Sequence, residues 1–412
     1  MSGLLLPAFQ KFYSALSSLD RFNKEKSFFD NISCLDTFFS EFRSITFVLQ
    51  KSLAHTEYLD LYKENRDKHL LGCKWFVDKR NETTKEQPFQ LIKQIDITIY
   101  LPDQGIRVYS QEYTFENDVE IAALIEKFRL MFFEVNPIEV FFSAEFSFFE
   151  NGNSLDIYEE LLRGIHKMKT FMNAMKEEVN ESCEQCKRIE QEIAKFNFMT
   201  IPRDMFLVTD YVYYPMKDLF ERAVRVTLVM GGHKLTIPRM SIDSFKKGVF
   251  EKSEDSLFEK FVMIHVIQKN INILPAIMIV YKDNTFELDA FSADVKTTVY
   301  RKINETAKKI LSDEVKEVFI MQSYTCCPLS QGFLAMTSAE RSRNSMLEIL
   351  IFMKIDDKLN EKEYVFEGQS LSCDNYIVHQ LKHGRTDNID IGKNNVLPIK
   401  DAFKKKSKEN FE

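Results

Sequence analysis

The stretch Lys74 to Pro88, KWFVDKRNETTKEQP, holds the chain's one tryptophan and marks the point where the apolar pattern changes period. Before it the period is helical. Tyr58, Leu59, Tyr62, His69, Leu70, Cys73, Phe76 and Val77 step by three and four, which predicts one amphipathic helix from about Thr56 to Arg80. Leu35, Phe38, Phe39, Phe42, Ile45 and Leu49 predict an earlier helix lying antiparallel to it. After Pro88 the period becomes two: Ile95, Ile97, Ile99 and Leu101 alternate with more polar residues, Asp103-Gln104-Gly105 supplies a turn, and Ile106 to Phe115 returns as the second arm of a β-hairpin.

Further along, Ile121, Leu124, Ile125, Phe128, Met131 and Phe132 predict a helix from Val119, and the aromatic run Val140 to Phe149 predicts an extended segment ended by Asn151-Gly152-Asn153. The longest periodicity follows. Tyr158, Leu161, Ile165, Met168, Met172, Met175, Val179, Ser182, Cys186, Ile189, Ile193 and Phe196 step by three and four, predicting a single heptad-patterned helix roughly 60 Å long at 1.5 Å per residue. An apolar seam of that length needs cover, either from helices of its own domain or from a second copy in a homodimer joined through Tyr158 to Phe196.

Pro202 closes that helix, and Met205 to Pro215 reads as a connector at a domain boundary. Beyond it a hairpin around Gly231-Gly232, a helix over 254–269, strands at 273–281, 285–291, 315–325, 345–355 and 363–367, and a helix over 295–311 predict one mixed sheet with helices on it. Between Cys326 and Asn344 the pattern leaves a loop of about twenty residues, a length associated with function or disorder. The expected organisation is α+β: a helical bundle with an inserted β-hairpin and a long helix over 1–204, a mixed-sheet α/β domain over 205–370, and an extension over 371–412 whose end, Lys400 to Glu412, is a mobile Lys-rich tail.

Composition bounds the function. A chain of 412 residues is long for one core. A net charge of -7 argues against wholesale nucleic-acid binding and confines any such role to a local patch. Seven cysteines without a regular spacing fit a reducing cytoplasm better than a disulfide framework. The start, MSGLLLPAFQKF, carries no charged leader, and no run of about 18 apolar residues occurs, so neither secretion nor a membrane span is expected.

Two helices followed by Arg80-Asn81 and a run of polar residues resemble the HEPN family of small helical bundles, over roughly residues 30–90. In that family an Arg-Asn pair begins a motif completed by a histidine four to six residues on, and the two groups cleave RNA, often across a dimer. The resemblance implies that Arg80 and Asn81 would meet RNA phosphate. Here Lys85 occupies the first position open to that histidine, and no histidine follows until His166. A lysine is a poor general base near neutral pH unless strongly desolvated. The resemblance therefore implies a degenerate HEPN-like bundle of the kind found in bacterial proteins, and leans away from an enzyme. The plain structural expectation for Arg80 and Asn81 is that they cap a helix end and pair with Glu82 or Glu86.

Other motifs are weaker. Cys183-Glu184-Gln185-Cys186 is half of a zinc site without its other half, and reads as a packed pair of thiols on the long helix. His379 and His383 would stand one helical turn apart but lack the glutamate of zinc proteases, and His265 fits a core position. Gly231-Gly232 is a turn and not a phosphate cradle. No motif calls for a cofactor or a metal. The loop after Thr325 carries Ser338, Arg341 and Arg343, suited to a small anionic ligand at the end of a strand. Lys404, Lys405, Lys406 and Lys408 read as a solvated end. The expected function is a non-catalytic binding or interaction protein, connected with defence or stress as HEPN relatives often are. Its alternatives are an RNA-binding or residual RNase module using Arg80, Asn81 and Lys85, and a ligand or enzymatic site near Arg341 and Arg343.

Overall fold

The computed structural model describes residues 3–101, 107–115, 123–124, 126, 132, 134, 136–201, 203–223, 229–230, 233–234, 237–243, 256–267, 274–326, 332, 336–344, 347–368, 378–382 and 396–409. Helices dominate the N-terminal part and strands the C-terminal part, so the α+β expectation holds. The chain forms two compact units, one of Met1–Asp96, Gln111–Ile125 and Ala144–Val208, the other of Ile97–Ser110, Glu126–Ser143 and Thr209–Glu412. The division is interleaved and does not fall at one point in the sequence. Strands β1 (Leu91–Leu101), β2 (Arg107–Phe115), β3 (Val140–Glu150), β4 (Val208–Tyr214) and β5 (Leu219–Arg222) form a five-stranded sheet in the order β2-β1-β3-β4-β5.

In the first unit, helix α1 (Leu6–Leu19) packs on α2 (Phe28–Leu53). Helix α1 is not among the elements expected from the sequence, although Phe9, Phe12, Leu16 and Leu19 are buried along one stripe. Ser27 starts α2 by accepting the Asp30 N–H at 3.1 Å. The single helix expected over 56–80 is two, α3 (Leu59–His69) and α4 (Lys74–Lys85), because Gly72 takes φ +82° between them. Arg80 is consequently in the interior of α4 and not at its end.

The long heptad helix is also interrupted. Helix α5 (Ile157–Glu178) is capped by Asp156, which accepts the Tyr158 N–H at 2.9 Å, and it ends before Asn180, at φ 51°. There the Asn180 N–H reaches the Glu177 carbonyl at 3.1 Å and the Glu181 N–H reaches the Lys176 carbonyl at 3.0 Å, which is a Schellman ending. Helix α6 (Glu184–Ile193) then starts afresh, followed by the short helices α7 (Asn197–Thr200) and α8 (Arg203–Leu207). A spacing of three and four survives such a break, so periodicity alone does not reveal it. The seam residues Tyr158, Leu161, Ile165, Met168, Met172 and Met175 are buried within the chain, α5 lying against α3 and α6 against α1. Asn180→Gly is expected to leave stability unchanged, whereas Asn180→Val, forced to a positive φ, should cost about 1–2 kcal/mol in thermal unfolding followed by Trp75 fluorescence.

The second unit is built on a seven-stranded sheet of order β14-β13-β12-β11-β9-β10-β8, from β8 (Ile237–Ser241), β9 (Ala276–Tyr281), β10 (Thr285–Ala290), β11 (Val315–Cys326), β12 (Leu347–Asp356), β13 (Glu361–Gly368) and β14 (Val378–Lys382). Between β5 and β8, β6 (Val229–Met230) pairs with β7 (His233–Lys234), while Gly231-Gly232 lies outside the described residues. The mixed sheet expected from the sequence is instead antiparallel in every pairing. Tight turns at Asn284 (φ 63°) and Leu359 (φ 65°) allow only antiparallel neighbours. Both faces are covered, with Ile277, Ile279 and Tyr281 in one core and Ala276, Met278 and Val280 in the other. Helix α9 (Leu257–Ile267) contributes Phe258 and Phe261 to the second core. Helix α10 (Lys296–Ser312) contributes Ile303 and Ile310 to the first.

The Lys-rich end is not a mobile tail: it forms helix α12 (Leu397–Glu409), with α11 (Ser338–Arg343) preceding it in the chain. Ile399, Ala402 and Phe403 of α12 enter the core, while Lys400 pairs with Glu361 at 2.7 Å and Lys406 with Glu314 at 3.4 Å. Apolar anchors at three and four were masked by the lysines between them. The segment of His379 is strand β14, while His383, the side chains of His379 and His265 and most of the helix expected from Val119 lie outside the described residues. Among those residues no helix is long and apolar enough to cross a membrane.

Candidate functional site

The ring cluster around the opening stretch organises the first unit. Trp75 packs edge-on against Phe39 at 5.2 Å and Phe76 at 5.0 Å, and Phe39 stacks on Phe89 at 5.6 Å. Helix α2 supplies Phe39, α4 supplies Trp75 and Phe76, and Phe89 leads into β1. Such pairs add about 0.5–1.5 kcal/mol each beyond burial, which fixes the Pro88-Phe89 segment against α2.

A groove of about 510 Å³ opens between the first turns of α2 and the segment Pro88 to Leu91. Ile32, Phe89 and Leu91 give it apolar walls, and Phe29 stands at its lip with 82% of its surface exposed. Asp36 is its acidic group: its carboxylate accepts the Phe89 N–H at 3.1 Å, while burial pushes its pKa above the ordinary value. Ser33, Thr37 and Gln90 complete a lining that mixes apolar surface with a few polar groups, the usual composition of a binding site. Its two halves are separated by some fifty residues in the sequence, with no shared motif. The available signal was Phe29, an aromatic residue off the buried stripe of its helix.

Among the expected contacts, Arg80 donates to Asn81 Oδ1 at 3.2 Å, and its carbonyl accepts from Thr84 Oγ1 at 2.6 Å. Its predicted partner Glu82 is engaged by Lys79 at 2.6 Å, and that contact holds the Glu82 carboxyl below its usual range. Lys79 also pairs with Glu150, which accepts the indole N–H of Trp75 at 3.3 Å. Lys85 is exposed in the last turn of α4. Arg80 and Asn81 are thus together, but the cation nearest the carboxylate network is Lys79.

The second candidate site does not assemble two arginines. Arg341 is drawn onto Glu139 at 2.9 Å, with only 11% of its side chain exposed, whereas Arg343 is exposed. Ser338 donates its backbone N–H to the Tyr214 oxygen at 2.7 Å and lies 2.9 Å from it through Oγ. Burial pushes the Tyr214 phenol up to about 12. Lys217 binds Glu340 at 2.7 Å and pulls its carboxyl down to about 2. A helix of six residues tied down at Ser338, Glu340 and Arg341 is a structural clasp more than an anion cradle. Among the described residues no group of three or more His, Cys, Asp or Glu side chains could hold a metal ion. Comparison with protein-family models, curated proteins and solved structures finds no match for this chain.

Proposed function

We propose that this chain is a non-catalytic binding protein whose first unit receives an apolar segment of a partner protein in the groove beside α2. The observation that carries this is Phe29, a phenyl ring left 82% exposed at the lip of a groove walled by Ile32 and Phe89. Exposed aromatic residues beside a concave apolar surface suit the burial of a partner side chain. Asp36 favours a partner that brings a hydrogen-bond donor and disfavours a phosphodiester. Arg80 and Asn81 are, in this reading, what a HEPN-like bundle retains after its histidine position has become Lys85.

The chain's one tryptophan makes the groove testable, because Trp75 lies 6.5 Å from Phe89 between ring centroids. An anilinonaphthalenesulfonate dye bound there should accept excitation energy from Trp75. Phe29→Glu and Ile32→Glu should each weaken that signal by roughly tenfold, the equivalent of about 1.4 kcal/mol of lost apolar contact. Peptides selected from a displayed library on the wild type should likewise fail to bind Phe29→Glu. Dye and peptide binding indifferent to both substitutions would remove the groove from consideration. Salt-sensitive retention of labelled RNA that disappears in Arg80→Ala would favour the RNA-binding alternative.

A further inference from the structure

The break in the expected long helix changes the meaning of Cys183-Glu184-Gln185-Cys186. Because α5 ends in the Schellman turn at Asn180, Cys183 becomes the N-cap of α6 and Cys186 its third residue. Both are reduced thiols, Cys183 half-buried and Cys186 only 1% exposed. Glu181 fixes the entry to the helix, accepting the Cys183 N–H at 3.0 Å and the Leu5 N–H at 3.1 Å.

Cys183 has φ -59° and ψ 120°, the non-helical conformation that turns an N-cap side chain back over the first turn. Its sulfur closes no cap hydrogen bond, but the cap position sets it over the first-turn N–H groups of Gln185 and Cys186. These groups, the Cys186 N–H first, hold the Cys183 thiol below the ordinary cysteine value. Cys186 is pushed up to about 12, by burial first and then by its hydrogen bond to Cys183 and the charges of Cys183, Glu181 and Glu190. The other two fully described cysteines lack this division: burial raises both Cys34 and the half-buried Cys73.

We infer that Cys183 and Cys186 form a thiol–disulfide exchange site for low-molecular-weight disulfides, with Cys183 as the attacking sulfur and Cys186 as the resolving one. The Cys183 thiolate attacks one sulfur of a disulfide RSSR, breaking its S–S bond, forming a mixed disulfide and expelling RS⁻. Cys186 gives its proton to the departing thiolate and attacks the Cys183 sulfur, expelling the second thiolate, which takes a proton from water. The chain loses two electrons and gains one intramolecular disulfide, and RSSR is reduced to two thiols. A stabilised, accessible thiolate beside a protonated, sheltered thiol is the asymmetry such a sequence of steps needs. A pair kept only for packing would have both sulfurs covered, as Cys34 is.

The test uses the folded full-length chain and oxidised glutathione as the probe. Peptide mapping by mass spectrometry should find a Cys183–Cys186 disulfide in the wild type. In Cys186→Ser it should find one glutathionyl group trapped on Cys183, and in Cys183→Ser no adduct on Cys186. Alkylation by iodoacetamide at pH 7 should be about fivefold or more faster at Cys183 than at Cys73, the increase in thiolate fraction outweighing the lower intrinsic nucleophilicity. Cys186→Ala serves in place of Cys186→Ser if circular dichroism shows the serine variant unfolded. The inference is overturned if the wild type forms no 183–186 link, if the adduct in the Cys186 variant lies elsewhere, or if Cys73 reacts as fast as Cys183.

Discussion

Asp210→Ala is expected to destabilise the second unit by roughly 3–5 kcal/mol, a large part of the ~5–15 kcal/mol that holds a domain together. Asp210 of β4 is 3% exposed and Arg301 of α10 is 7% exposed. The guanidinium grips the carboxylate through Nε at 2.9 Å and 3.1 Å and through Nη2 at 3.0 Å, while Nη1 holds Glu305 at 2.6 Å. Thr297, one turn earlier in α10, donates to the Tyr211 carbonyl at 2.5 Å, so strand and helix are joined at two levels. Removing the carboxylate leaves a buried cation whose desolvation is offset much less, the Glu305 side chain being 41% exposed, and that penalty exceeds the strength of a single neutral hydrogen bond.

Urea unfolding followed by far-ultraviolet circular dichroism, with hydrogen exchange of the α10 amides to localise the change, measures it. A loss under about 1 kcal/mol would show that water reaches Arg301 and that the pair is not structural. The double variant Asp210→Leu with Arg301→Met should recover most of the loss, because apolar groups of similar volume need no counter-charge.

Gly164→Ala should destabilise the first unit by about 2 kcal/mol, against the usual direction for a helix interior. Replacing glycine inside a helix ordinarily stabilises it by about 1 kcal/mol. Here a Cβ would overlap Cζ and Cε2 of Phe76 and stand 2.9 Å from its Cε1. Phe76 is 3% exposed and enclosed by Phe42 at 4.9 Å and Trp75 at 5.0 Å, so its ring cannot move aside without disturbing both. Overpacking of that kind costs about 1–3 kcal/mol or more and outweighs the propensity gain. Trp75 reports on it directly: its emission should change in the native state and its unfolding midpoint should fall. Phe76→Leu in the same chain should reverse part of the effect, giving a clear coupling energy in a double-mutant cycle. A Gly164→Ala protein more stable than the wild type would mean that α4 and α5 are not in close contact.

The sequence located its elements far better than it located their ends. Apolar spacing placed the buried face of α2 and five strands of the C-terminal sheet, since burial is written locally in periods of two or about 3.6. It did not separate α3 from α4 or α5 from α6, because Gly72 and Asn180 act through φ while the three-and-four spacing runs on across them. For the same reason it treated Cys183 and Cys186 as neighbours on one seam.

The stretch around Trp75 stood out by its tryptophan, but its groove did not, as α2 and the Pro88-Phe89 segment meet only in the folded unit. Strand direction behaved similarly: residue type marks a strand, and only the connecting turns decide antiparallel pairing. Arg80 and Asn81 carried a family resemblance in their order, and Arg341 and Arg343 carried charge. Their partners were decided by tertiary placement, which gave Glu82 to Lys79 and Glu139 to Arg341. What this chain determined by itself was therefore the class of structure and the identity of most buried faces, which depend on neighbours a few residues away. The groove, the helix breaks and the split between two thiols came only with the tertiary structure, because each depends on backbone angles or contacts that no local pattern records.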